Sequence, residues 1–315
     1  MKPSEGVLHY GLKEDAFNQY INLFKDLSWL NDQGLSCTDD NGHLLGVLCD
    51  IQYASVPTLG GGGEIHRLGV GCISNTWRVR NAFRKFHFYR DDMFESAGIE
   101  GEEMGRYGKH LRPYMSQNHL GSGDLIPLGQ TPGESEWTYS ELVSAVAWGD
   151  DVIPSLHDKA LTTRWPVTVQ DKTILNANSG FDMVGMIESY NEDRMDVVTP
   201  TLDGETVSKN NPLSMMRYQA QSTGQIVDVA AEQELERPPY DIRDDGDSIY
   251  KTSLHFGFGG SQGATEVPTN IILKNVFVPA GLLYLVDNQT PAENNLIKVT
   301  CKAVLRCKDI SLKAY

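Results

Sequence analysis

The strongest constraint on this chain is a period of two. In "HLLGVLCDIQYA", Leu45, Val47, Cys49, Ile51 and Tyr53 are apolar, while Asp50 and Gln52 face the other way. Side chains alternate across a strand, so such a run buries one face and wets the other. The pattern returns at Tyr250, Thr252, Leu254, Phe256 and Phe258. It closes the chain in "NLIKVTCKAVLRC", where Val299, Cys301, Ala303, Leu305 and Cys307 share one face and Lys298, Lys302 and Arg306 the other. Further strand signals come at short intervals: "EIHRLGVGCIS", "EWTYSELVSAVAW", "RWPVTVQ", "GFDMVGMIESYN", "GQIVDVAAE" and "TNIILKNVFVPAGLLYLV". In this half only "NPLSMMRYQA" at 211–220 reads as helix. Many short antiparallel strands with polar turns predict a mainly β protein, a sandwich or a barrel.

Two stretches break the period. Residues 14–30, "EDAFNQYINLFKDLSWL", set Phe17, Tyr20, Ile21, Phe24 and Leu27 at helical spacing, with acids in the first turn where the dipole favours them. This predicts one amphipathic helix docked on the chain's own core. The second stretch, "TWRVRNAFRKFHFYRDD" at 76–92, predicts a helix that buries Val79, Ala82, Phe83, Phe86, Met93 and Ala97, with Asn75 or Thr76 as cap and Gly98 as its stop. Its cations, Arg78, Arg80, Arg84, Lys85 and Arg90, lie among aromatics, which is also the pattern of a nucleic-acid surface. They precede the acids Asp91, Asp92 and Glu95, against the helix dipole. The chain carries a net charge of -15, a field that repels a polyanion. The expected partners of these cations are therefore carboxylates of this chain or of a neighbouring copy, and little direct nucleic-acid binding is expected.

Motifs that carry chemistry are scarce. There is no GxSxG, HExxH, CxxC or Walker pattern. The "GGGG" run at 60–63 has no phosphate-loop context and reads as a turn. His110 and His119 lie nine apart without an acidic or cysteine partner in register, inside a Gly- and Pro-rich stretch, 99–135, that reads as a surface loop. "TDDNG" (38–42) and "RDDGDS" (243–248) resemble fragments of calcium loops without the full spacing and read as turns; a weak calcium site between subunits stays open. No catalytic or cofactor residues emerge, metal ligands stay unassigned, and no enzyme is expected. The five cysteines are odd in number and read as reduced, which points to assembly inside a cell. The first thirty residues lack a signal-peptide layout, and no run is long and apolar enough for a membrane helix.

The blocks "DMVGMIESYNEDRMDVVTP", "NPLSMM", "ERPPYD" and "NVFVPAGLLYLVDN", with the closing alternating strand, resemble jelly-roll capsid proteins of small tailless DNA viruses, known chiefly from environmental genomes and lipid-containing phages. The resemblance spans roughly 136–315 and, more faintly, "TWRVRNAFRKFH". It implies a virion structural protein, many copies of which form an icosahedral shell, with no catalytic residues to carry over. The implied organisation is an N-terminal arm, 1–41, and a jelly-roll domain, 42–315, with a helix and loop insertion over about 76–135. A compact double jelly roll is the alternative. One departure stands out: residues 1–35 hold three lysines against five acids, so no basic arm meets a genome; either the genome is contacted only lightly, or a membrane or minor protein lies between, and minor capsid, spike or membrane proteins are the further expected partners. A rival from another class is a carbohydrate- or receptor-binding β-sandwich displaying Trp137, Trp148 and Trp165. A third is a hydrolase with Asp and Glu catalysts.

Overall fold

The computed structural model describes residues 5–12, 18–55, 65–96, 98, 111–115, 119, 122–131, 137, 139–144, 163–168, 174–176, 180–187, 190, 255–260, 269–287 and 296–310. The described chain is mainly β, with antiparallel sheets and few helices. It divides into two compact units, one of Met1–Thr76, Asn118–Thr138 and Tyr250–Tyr315, the other of Trp77–Gln117 and Tyr139–Ile249. Among the described residues no helix is long and apolar enough to cross a membrane.

The first unit holds β1 (Gly6–Gly11), β2 (Asn18–Asn22), α1 (Leu23–Leu30), β3 (Leu45–Ser55) and β4 (Ile65–Cys72). Five more elements, numbered by their order in the whole chain, complete it: β9 (His255–Gly260), β10 (Thr269–Pro279), β11 (Leu282–Asp287), β12 (Leu296–Arg306) and α3 (Cys307–Ile310). Its strands make two four-stranded antiparallel sheets, ordered β1-β12-β3-β10 and β2-β11-β4-β9, compatible with a β-sandwich. The first strand of this unit pairs with the last, β2 with β11, β3 with β10 and β4 with β9. Val47, Cys49, Ile51 and Tyr53 of β3 are buried, as their alternation predicts, together with Leu8 and Tyr10 of β1 and Ile297, Val299 and Cys301 of β12. Val70 and Cys72 of β4 and Leu283 and Leu285 of β11 bury the other sheet. The two sheets meet where the Cys72 thiol lies 3.8 Å from the Phe277 carbonyl. All five cysteines are buried free thiols; burial pushes Cys301 up to about 12 and Cys49 higher still, which keeps these two thiols protonated.

Two bulges alter what alternation alone predicts. β10 slips between Leu273 and Val276, where Asn275 takes a left-handed φ of 56°, and β12 slips between Cys301 and Ala303. Asp50 on the strand between them serves both. Its carboxylate accepts the Asn275 N–H at 2.7 Å and the Lys302 ammonium at 2.6 Å. The Lys302 hydrogen bond first, then the Asn275 amide, hold this carboxyl below its ordinary pKa. Beyond the bulge β12 changes phase, and Leu305, expected in the core, is 37% exposed. We therefore expect Ile297→Ala, at a fully buried position of β12, to cost about 2–5 kcal/mol, and Leu305→Ala under about 1 kcal/mol. Equal losses in urea unfolding would contradict this register.

The expected helix over 14–30 is also corrected. Among the described residues of this stretch, 18–22 are strand β2, hydrogen-bonded to β11, and Leu23–Leu30 is helical. Tyr20 and Ile21 satisfy both periods because β2 is buried on both faces. Asn22 makes the switch: its backbone is extended, and its side chain accepts the Lys25 N–H at 3.2 Å to cap α1. Leu23, Phe24 and Leu27 of α1 are buried. The stretch read as a surface loop, 99–135, contains buried residues as well: Leu111, Met115, His119 and Leu125. Its part in this unit lies along one outer strand of each sheet, with Leu125 N–H donating to the Tyr20 carbonyl of β2 at 2.7 Å and Leu128 N–H to the His9 carbonyl of β1 at 2.7 Å. Covering sheet edges this way removes free templates for pairing.

The second unit holds α2 (Trp77–Ser96) and a sheet of β5 (Glu141–Ser144), β6 (Thr163–Thr168), β8 (Gly180–Gly185) and β7 (Ile174–Asn176), in that order, with β6 and β8 parallel. Val79, Ala82, Phe83 and Phe86 of α2 are buried as predicted, and Gly98 follows the helix with a φ of 71°. The glycine run at 60–63, His110, Trp148, "GQIVDVAAE", "NPLSMMRYQA", "ERPPYD", "RDDGDS" and Tyr250, Thr252 and Leu254 lie outside the described residues.

Candidate functional site

Among the described residues, a connected group of buried polar side chains lies in the first unit. Consecutive residues on α1 point to different neighbours. Asp26 turns to β1, where Tyr10 donates its hydroxyl to Oδ2 at 2.6 Å. Lys25 donates from Nζ to Asp124 Oδ2 at 3.0 Å. Asp124 Oδ1 lies 2.6 Å from His119 Nε2, and the His119 ring stacks on Tyr20 of β2 at 4.6 Å between centroids. Tyr20 in turn stacks on Tyr284 of β11. The group thus joins β1, β2, α1, β11 and the edge-covering segment.

Asp26 is fully buried, and its Oδ1 has no hydrogen-bond partner. Burial, above all, pushes its carboxyl up to about 8; the Tyr10 hydrogen bond and Lys25 pull the other way, and Asp124 adds to the rise. Burial and Asp26 likewise drive the Tyr10 phenol well above its ordinary value. At neutral pH this is a proton-holding carboxyl beside an ionised pair. The arrangement fastens segments together and offers no exposed nucleophile or base to a substrate. His119, considered with His110 as a metal ligand, is instead committed to Asp124 and Tyr20, and among the described residues no group of metal-binding side chains gathers.

Two of the α2 cations, Arg84 and Arg90, have partners other than the expected carboxylates. Arg84 is exposed and lies over the Phe88 ring, 5.5 Å from its centroid, rather than against a carboxylate. Arg90 lies over Phe94 at 5.9 Å and donates from Nη1 to the Ser140 hydroxyl at 2.9 Å. Aromatic faces on the same helix, four residues on, take the place of the expected acids. Arg78 is buried, and Asp91 is drawn to His87 Nε2 at 3.3 Å.

The calcium-like "TDDNG" is a turn. Asp39 Oδ1 accepts the N–H groups of His43 at 2.8 Å and Asn41 at 3.1 Å, and Oδ2 meets Arg306 at 2.8 Å. Partial burial raises its pKa, but these amide hydrogen bonds outweigh it and hold the carboxyl below its usual range. Trp137 is half-buried, and Trp165 lies on β6. No family model, no curated protein and no solved structure matches this chain.

Proposed function

We propose that this chain is the major capsid subunit of a small tailless icosahedral DNA virus, a single jelly roll that assembles with its own copies into a shell. The strand order is the observation that carries the reading. Counted within the sandwich unit, strands one and eight, two and seven, three and six, and four and five are the pairs of one long antiparallel ribbon. Wrapping such a ribbon yields the sheets 1-8-3-6 and 2-7-4-5, the wiring of a jelly roll made of two Greek keys. All eight strands come from one unit, and the second unit occupies the excursion between strands four and five, which favours one roll over two.

Lectins and cupins share this wiring, and a fold does not name a function. The resemblance of the C-terminal blocks to capsid proteins directs the choice. In this reading the subunit resides in the virion after assembly in the host cell. Its net charge of -15 leaves genome contact to a membrane or minor protein. We assign it no catalysis. Light scattering and electron microscopy of the full chain test the reading: closed shells, or very large homo-oligomers, are expected. A stable monomer or trimer that binds glycans under assembly conditions would overturn it.

A further inference from the structure

Five of the eight large apolar side chains exposed among the described residues gather on one face of one sheet. The sheet β1-β12-β3-β10 buries Leu8, Cys49 and Val299 on its inner side. Its outer side displays Val7 of β1, Leu296 and Leu305 of β12 and Ile272 of β10. Leu128 flanks that side at Gly11, where a Cβ would lie 3.9 Å from Leu128 Cδ2. The five are 37–58% exposed. The register spreads them over the whole face: Leu296 lies opposite Gly11 and Ala54, Ile272 opposite Gln52, and Leu305 opposite Gly46. Cations stand among them. Lys298 lies opposite His9 on one side and Gln52 on the other, and Lys274 is exposed at the β10 bulge. The four strands carry Lys274, Lys298, Lys302 and Arg306 against one acid, Asp50. Asp50 bonds Lys302, Arg306 meets Asp39 outside the strands, and Lys298 forms no ion pair among the described residues.

A concentration of exposed aliphatic side chains among charges marks a contact surface, and the sign of the charges selects its partner. The whole chain carries a net charge of -15, so two copies repel one another wherever average surfaces meet. This face has the opposite sign, which makes the remainder of the chain more acidic than the total. We propose that the outer face of the sheet β1-β12-β3-β10 docks on an acidic surface of a second copy of this chain. Two such faces do not pair with each other, because Lys298 and Lys274 of one copy would meet their equivalents in the next. The contact is therefore heterologous, face against a different surface, and each copy stays free to receive a further one. Such contacts close into rings or build larger assemblies, whereas an isologous contact stops at two. The inference rests on the reading that this chain assembles with its own copies, and it names the surface that does so. Leu305 then acts in association, having little part in the folding of the subunit.

Sedimentation velocity of the full chain over a concentration series tests this. Ile272→Gln and Lys298→Glu are each expected to raise the concentration at half-association about tenfold or more, with the thermal unfolding midpoint close to that of wild type. Arg84→Glu makes the same charge change at an exposed site on α2 and controls for added repulsion; its shift should stay under about threefold. Leu305→Ala, with its small folding cost, is the third probe should either variant lose its fold. A wild-type chain that stays monomeric throughout overturns both this inference and the capsid reading. Wild type and face variants that form large assemblies at the same concentration overturn this inference alone. An equal shift from Arg84→Glu does so too. Binding to phosphatidylserine vesicles or single-stranded DNA that Lys298→Glu abolishes, with self-association unchanged, would give the face to a polyanion and likewise overturn it.

Discussion

Asp26→Asn is expected to make the chain more stable at pH 9 than the native sequence, by an amount on the order of 5 kcal/mol. The native carboxyl has its pKa raised from 3.8 to about 8. Between those values the folded state keeps a proton that the unfolded chain releases. The folded state then binds more protons, so stability falls as pH rises from about 4 to about 8 and levels off above. About four units at ~1.4 kcal/mol each set the scale of the loss. Asparagine keeps an oxygen to accept the Tyr10 hydroxyl at this fully buried position and cannot ionise. The difference in urea unfolding free energy between the two proteins isolates this one group from other titrations. It should be small at pH 4, grow through pH 6 and reach its full size by pH 9. A difference independent of pH would mean that Asp26 ionises normally in the folded state.

Half of this site is legible in the sequence. Asp26 sits between Phe24 and Leu27 on the apolar stripe of α1, and an acid beside such a stripe is a candidate for burial. What buries it is not legible, because Tyr10 and Asp124 come from distant parts of the chain and meet it only through sheet wrapping. The strand β12 teaches the same lesson. Its apolar alternation runs unbroken from Val299 to Leu305, yet the phase changes at Lys302 because Asp50, 252 residues away, draws that lysine into the bulge. No glycine or proline marks the place. Arg84 and Arg90 of α2 differ from expectation for a nearer reason. Arg84 with Phe88 and Arg90 with Phe94 stand at helical i, i+4 spacing, so their aromatic partners are in the sequence, where charge complementarity alone points to acids instead. The helix–strand junction at Asn22 is readable as a cap, but an apolar stripe compatible with either period hides it.

At the second carboxylate of the cluster the opposite sign is expected: Asp124→Ala should cost about 3–5 kcal/mol. The Asp124 side chain is 3% exposed and holds two partners, Lys25 at 3.0 Å and His119 at 2.6 Å. Its removal leaves the ammonium of Lys25 without that anion in a mostly buried position, which is the costly half of breaking such a pair. The loss also has a place. Asp124 begins the segment whose amides at Leu125 and Leu128 bond to Tyr20 of β2 and His9 of β1, one outer strand of each sheet. Once that segment lifts, β1 and β2 present unpaired edges, and edge pairing between copies becomes the route to disordered aggregates. Limited proteolysis should therefore cut the variant within 119–131 at denaturant levels where the rest of the chain is intact, and hydrogen exchange should rise at Leu125 and Leu128 first. The two carboxylates are coupled, because Asp124 is one of the charges that raise Asp26. In the Asp124→Ala background the alkaline gain from Asp26→Asn should shrink. If that gain is unchanged and the segment stays protected, the two acids act independently and the cluster does not anchor the sheet edges.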